Sequence, residues 1–197
     1  MDQAEDEPEN AQALNATALD SLCKLSKAKG FKLIHFSTDY VFGGTAHSPY
    51  KEDDPLSPLG VYGKTKAGGE SVMQTSGIDG WIIRTSWLFS PYGKNFVKTI
   101  FSLLQKKDEI NVVTDQTGSP TYAIDLAAAT LKALDQKPTF NGVKVYHYTN
   151  RAIPLGMVCP LPLSSRSIPI AKFKQSIRTP IQPKPEDPVS YTHLTLP

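Results

Sequence analysis

The chain has 197 residues, 40% of them hydrophobic and 20% charged, with a formal net charge of +2. That is enough apolar material for one core of ordinary size, and the charge balance names no partner. There is no basic block or aromatic-rich basic stripe of the kind that binds nucleic acid, no apolar run of membrane-spanning length, and the acidic amino terminus is unlike a secretion signal. Cys23 and Cys159 have neither metal-ligand spacing nor the numbers for a disulfide framework, so the default expectation is a cytoplasmic protein with no metal site.

In chain order, Pro8 and Glu9 introduce a helix in which Ala11, Leu14, Ala18, Leu22 and Leu25 recur at three- and four-residue intervals, the pattern of an amphipathic helix docked on a sheet. Lys24, Lys27 and Lys29 suit the negative end of its dipole, and Gly30 closes it. Asn15 lies inside this helix.

The stretch from Phe31 to Lys66 organises the rest. An apolar run gives way abruptly to Ser37-Thr38-Asp39, as in a buried strand whose carboxyl end opens into a site. In a parallel sheet that end is where chemistry collects. Gly43-Gly44 reads as a turn. Ser57 and Pro58 suit a helix start, so from Leu59 the chain reads as helix and places Tyr62 and Lys66, four apart, on one face. A phenol is a poor acid at neutral pH, but an ammonium held beside it favours the phenolate and lowers its pKa, which lets a tyrosine exchange protons with a substrate. Thr38, at the strand end, can donate to the same substrate oxygen. With 8 tyrosines in a lysine-rich chain, Tyr-x-x-x-Lys by itself arises readily by chance; the order of strand, Ser-Thr-Asp, loop and helix gives it weight.

After Gly80, Trp81 to Ser86 reads as a second buried strand with Trp87 just beyond its end. A helix over Asn95 to Lys107 carries Phe96, Ile100, Leu103 and Leu104 for packing. Ile110 to Val113 is a short strand leading into the Asp115 to Thr121 turn. An Ala-rich helix over Asp125 to Leu134 and a strand over Val143 to Thr149 follow. Beyond Asn150 the composition changes: nine of the 16 prolines lie in 151–197, and neither helical nor strand periodicity persists.

Ser37-Thr38-Asp39-Tyr40-Val41-Phe42, Pro49 to Pro55, Val61 to Lys66, Gly69-Glu70, Arg84 to Trp87, Tyr92 to Phe96 and Asp115 to Thr121 together resemble, in order, the dTDP-4-dehydrorhamnose reductases, members of the extended short-chain dehydrogenases. The resemblance covers residues 1–150. It implies an α/β fold, a partial Rossmann-like doubly wound parallel sheet lacking its first strands and Gly-rich loop, with part of a small substrate-binding region. It also implies reduction of the C4 ketone of a dTDP-4-dehydro-6-deoxy sugar with NADPH or NADH, giving dTDP-rhamnose, and allows a homodimer of the full-length parent. Tyr62 then gives the proton, Lys66 lowers the Tyr62 pKa and bonds the nicotinamide ribose, so that both are cofactor-binding, and Thr38 polarises the carbonyl. Asp39, Tyr40, Trp87 and Asn95 fall at sugar or nucleotide contacts. Asn15 matches either a proton-relay asparagine or a polar residue bonded to local backbone.

Two other readings share these residues: a non-catalytic NADP-binding regulatory subunit, and an epimerase or dehydratase of another nucleotide sugar. For 151–197 the expectation is a non-native tail, with a frameshift near Arg151 and a last nine residues like translated adapter DNA; the fragment itself is expected to be inactive.

Overall fold

The computed structural model of the chain describes residues 2–46, 48–106, 117–150 and 153–154. Helices α1 (Asp2–Asp6), α2 (Pro8–Gln12) and α3 (Ala18–Lys29) open it, the last two joined by a π-helical turn over Ala13–Thr17. Strand β1 (Leu33–Thr38) runs into a 3-10 turn (Asp39–Val41), and helix α4 (Val61–Thr75) leads to β2 (Gly80–Thr85) and the short β3 (Leu88–Phe89). Then come α5 (Phe96–Lys106), β4 (Thr117–Gly118), β5 (Thr121–Tyr122), α6 (Ala123–Asp135), β6 (Val143–His147) and β7 (Ile153–Pro154).

The main sheet has the order β1-β2-β6 and is parallel throughout. Its central strand β2 is buried along its whole length, as a strand covered on both faces must be. On one face Leu19 and Cys23 of α3, Met73 of α4 and Ile78 close over Ile82, with Leu33, Val143 and Val145 at the margin. On the other, Leu126 of α6 packs with Trp81 and Ile83. Helices on both faces of parallel strands are the doubly wound arrangement expected from the sequence. The register sets Thr38 beside Thr85 and Arg84 beside His147, so the polar strand ends line up. Two smaller pairings flank the sheet: β3 with β5, and β4 with β7.

The amino-terminal helix docks through a different stripe from the expected one. Ala11, Ala16, Leu19, Cys23 and Ser26 are buried, whereas Leu14 is 75% exposed and Leu22 and Leu25 also face outward. A π turn puts one extra residue into a helical turn, which rotates the residues after it by about 100° against a continuous 3.6-residue phase. The close of the helix is as expected: Gly30 takes φ 76° and its N–H donates to the Ser26 carbonyl at 2.7 Å.

The start of α4 also differs. It begins at Val61, not Leu59, and Gly60 at its cap offers no side chain. The Tyr62 N–H, one of the orphan donors of the first turn, is taken by the Glu5 carboxylate of α1 at 3.3 Å. Ser57 instead donates its N–H to the Val41 carbonyl at 3.0 Å, so Ser57-Pro58 closes the preceding loop. In α5 no side chain is fully buried: Ile100, Leu103 and Leu104 are half-buried and Phe96 is exposed, a weaker packing role than expected. The strand expected at Ile110 to Val113, residues Asp115 and Gln116, and the expectations for the tail lie outside the described residues, apart from the backbone pairing of 153–154 with β4.

Candidate active site at the carboxyl end of the first strand

Thr38 is the last residue of β1, extended at φ −141° and ψ 156°, and its hydroxyl accepts the Tyr40 N–H at 3.3 Å. That bond ends the strand by starting the Asp39–Val41 turn, as a hydroxyl at a helix cap does. The same hydroxyl donates to the Asp39 carboxylate at 3.1 Å. Tyr40, Val41 and Phe42 are buried, so the turn is rigidly seated.

Helix α4 is held against this turn with almost no clearance. A Cβ on Gly63 would stand 2.2 Å from the Tyr40 carbonyl oxygen, closer than any side-chain carbon tolerates. One residue before that glycine, the Tyr62 ring meets the Tyr40 ring edge-on, with centroids 5.7 Å apart and planes at 78°. The Tyr62 phenol lies near enough to the Thr38 side chain for that hydroxyl to favour its ionised form. One helical turn on, the Lys66 ammonium donates to the Phe36 carbonyl at 2.7 Å and meets His35 Nε2 at 3.2 Å. Thr38, Tyr62 and Lys66, separate in sequence, therefore converge on the end of β1.

Asn15 supports this helix from behind. Its amide donates to the Thr65 hydroxyl at 3.0 Å, and Thr65 donates to the Tyr62 carbonyl at 3.0 Å. The side-chain partner is thus on the neighbouring helix rather than local backbone. A Cβ on Gly69 would lie 2.2 Å from the Asn15 carbonyl, so the two helices touch at backbone distance.

Burial dominates the electrostatics. It pushes the Asp39 carboxyl up to about 7, against the opposing bonds from Thr38 and two backbone N–H groups. Tyr62 is raised by burial and by the nearby Asp39 charge, and lowered by the Thr38 hydroxyl, with a net upward shift. Lys66 is lowered by burial while Glu70 pulls it back up. The expected depression of Tyr62 by Lys66 is therefore not realised in this arrangement, because the ammonium is turned onto β1.

The remaining expected residues take distinct places. Tyr40 and Asp39 sit in the turn beside the Thr38–Tyr62 contact. Trp87 follows β2 in a left-handed conformation, φ 45°, and its carbonyl accepts the Thr121 N–H at 3.2 Å. A non-glycine residue there is a strained feature of the sort that clusters at functional sites. Asn95 caps α5: its Oδ1 accepts the Lys98 N–H at 3.1 Å and its amide donates to the Ser90 carbonyl at 2.7 Å.

Sequence reasoning missed a buried polar group beneath the site. Arg84 of β2 binds Glu70 of α4 through two nitrogens, at 2.7 and 3.1 Å, donates to the Glu52 carbonyl at 3.1 Å, and approaches His147 Nε2 at 3.2 Å. The His147 N–H in turn donates to the Glu52 carboxylate at 3.1 Å. The sequence signals were an arginine inside an otherwise apolar strand and the presence of both Arg84 and Glu70 in runs that carry the resemblance, with no role read for either. Among the described residues no cluster of side chains could hold a metal ion, and no helix is long and apolar enough to cross a membrane.

Layer order and the polar convergence at the carboxyl ends of parallel strands define a Rossmann-like α/β domain. Residues 1–154 match the family model described as the RmlD substrate binding domain, and the chain belongs to that family. It is 43% identical over 150 residues to the dTDP-4-dehydrorhamnose reductase of Salmonella typhimurium, covering 75% of this chain and 50% of that protein. It is 42% identical over 153 residues to the spore coat polysaccharide biosynthesis protein SpsK of Bacillus subtilis, covering 78% and 52%. The crystal structure of dTDP-4-dehydrorhamnose reductase from Bacillus anthracis in complex with NADP superposes with a TM-score of 0.74 at 36% identity, covering 80% of this chain and 55% of that one. The chain spans about half the length of the curated relatives it matches.

Proposed function

We propose that this chain carries the proton-donating part of the active site of an NAD(P)H-dependent reductase acting on the C4 ketone of a dTDP-4-dehydro-6-deoxy sugar, and that it works in the cytoplasm. The observation that carries the reading is the placement of Tyr62 beside Thr38 at the end of β1, with Lys66 one turn further along α4 and bonded to the Phe36 carbonyl. Similarity to the named reductases supports the substrate class.

The donor set fits a nicotinamide dinucleotide. Lys66 has three N–H donors, its partners are a backbone carbonyl and an imidazole, and among the described residues no carboxylate is in salt-bridge contact with it. A cation so placed has capacity for ribose hydroxyls, which Tyr62 would share. When bound, the reduced nicotinamide supplies the hydride that the ketone carbon accepts.

The residues of this chain handle the proton and the charge. Tyr62, kept protonated by burial and by Asp39, donates its proton to the oxygen as negative charge develops there. Thr38 stands beside Tyr62, and its hydroxyl, turned from the Asp39 carboxylate, donates a second hydrogen bond to that oxygen, stabilisation directed at the transition state. Asp39, Tyr40, Trp87 and Asn95 are proposed to line the sugar and nucleotide side.

The test is to assay the full-length protein with NADPH and dTDP-4-dehydrorhamnose, following loss of the reduced nicotinamide. Turnover that disappears in Tyr62→Phe supports the reading. NADP binding without turnover points to a regulatory subunit, and conversion of another nucleotide sugar without net NADPH consumption points to an epimerase or dehydratase.

A further inference from the structure

The Lys66 side chain ends between two groups of one strand, the Phe36 carbonyl at 2.7 Å and His35 Nε2 at 3.2 Å. Successive side chains of a strand point to opposite faces. Leu33 packs with the α3 and α4 core while Ile34 packs with the α6 layer, so His35 shares the Leu33 face, under α4. An ammonium only donates. At hydrogen-bond distance from it, the imidazole must present a lone pair on Nε2 and keep its proton on Nδ1.

We propose that His35 is a positioning residue: its neutral ring and the Phe36 carbonyl form a two-acceptor cradle that parks the Lys66 ammonium on β1, clear of the Tyr62 hydroxyl. The cradle rests on these contacts alone; its bearing on catalysis rests on the function proposed above. In the parked state Tyr62 answers to burial, Thr38 and Asp39 rather than to Lys66. The phenol stays protonated in this state, and a ligand with hydroxyl acceptors would draw the ammonium off the strand.

The charged neighbours agree with this assignment. His35 is held at about 4 by burial and by the Lys66 charge, so it remains an acceptor through the neutral range. Lys66 faces His35 across the helix-sheet contact and feels Glu70 from its own helix, which favours the ammonium. Tyr62 faces Thr38 and Asp39.

The test uses isotope-labelled 197-residue chain and reads three side chains by NMR, with no turnover measured. His35 is expected as the Nδ1–H tautomer, titrating at about 4. In Lys66→Met, removal of a like charge should raise the His35 pKa, with burial still holding it below the ordinary value. In His35→Phe, the freed ammonium should lower the Tyr62 pKa, read at its ring carbon bearing oxygen, and His35→Gln, which restores an acceptor oxygen, should return it toward the wild-type value. A His35 that titrates near 6.5, or that carries its proton on Nε2, overturns the cradle. So does a Tyr62 pKa unmoved by His35→Phe. Should His35→Phe fail to fold, the wild-type tautomer and the Lys66→Met response still decide. Failure of the reductase reading would appear in the turnover assay and would leave these titrations unchanged.

Discussion

Arg84 and Glu70 join the central strand to the helix that carries Tyr62 and Lys66, and they do so with both side chains almost wholly withdrawn from water, at 2% and 0% exposure. The guanidinium uses Nε and one terminal nitrogen on the carboxylate, and its other terminal nitrogen on the Glu52 carbonyl and His147. It also lies over the Phe42 ring at 5.1 Å. A buried pair of this kind is a weak source of net stability compared with apolar packing, but breaking one side strands a charge. Its place in the fold gives it a second role, since Glu70 is one turn from Lys66 and favours the Lys66 ammonium.

Glu70→Gln should therefore cost about 3 to 5 kcal/mol in chemical denaturation, the range for removing one partner of a buried pair. Replacing both residues by apolar ones of similar volume should cost less than either single change. The Lys66 pKa should fall further below its ordinary value in Glu70→Gln, which lysine side-chain NMR can follow.

Asp39 predicts an unusual pH dependence of stability. Its folded value of about 7 stands above 3.8, so between those values the folded chain holds a proton that the unfolded chain has released. Stability then falls as pH rises from about 4 to about 7, by on the order of 4 kcal/mol from this group, and levels off above. Asp39→Asn should flatten that slope in denaturation curves taken across the window. Because the Asp39 charge also raises Tyr62, the Tyr62 titration should move to lower pH in the same variant.

Tyr62→Phe removes the proposed proton donor while keeping the edge-on ring contact with Tyr40. If the proposed function holds, the expected result in the full-length protein is loss of most turnover, by about a hundredfold or more as for a general acid, with NADP affinity little changed in a fluorescence titration. Equal loss of binding and turnover would mean that the hydroxyl serves the ligand rather than the reaction.

These residues differ in how far the sequence revealed them. Thr38, Tyr62 and Lys66 were legible because each sits in a short run whose local geometry follows from composition: a strand end, and one face of a helix. The individual strands and helices were legible from apolar runs separated by helical pattern, and their parallel order came from the family resemblance those runs carry. The Arg84–His147 contact was not, since it depends on the β2–β6 register across 63 residues. Glu5 capping α4 was equally invisible, because an exposed glutamate in an acidic segment carries no mark of its partner 57 residues on. The outward turn of Leu14, Leu22 and Leu25 follows from a π turn that the heptad-like spacing of leucines conceals.

Gly63 offers the sharpest separation between stability and chemistry. Its missing Cβ lets α4 reach the Tyr40 carbonyl, where a methyl group would stand 2.2 Å from the oxygen and 3.0 Å from Pro58. Gly63→Ala improves helix propensity by about 1 kcal/mol, but the clash is with backbone, so the helix or the Asp39–Val41 turn must shift, at a cost of about 1 to 3 kcal/mol typical of overpacking. The two terms largely offset, and a modest net loss in denaturation is expected. Chemistry has no such compensation. The displacement opens the Thr38–Tyr62 contact, and a misplacement of about 1 Å in a reacting group can cost on the order of a hundredfold in rate. Gly69→Ala is the control: its clash is with the Asn15 carbonyl at 2.2 Å, on the far side of the helix, so its penalty should fall more on folding than on turnover. Similar rate losses in the two variants would mean that α4 moves as a rigid rod, and that the Tyr40 turn alone does not set the position of Tyr62.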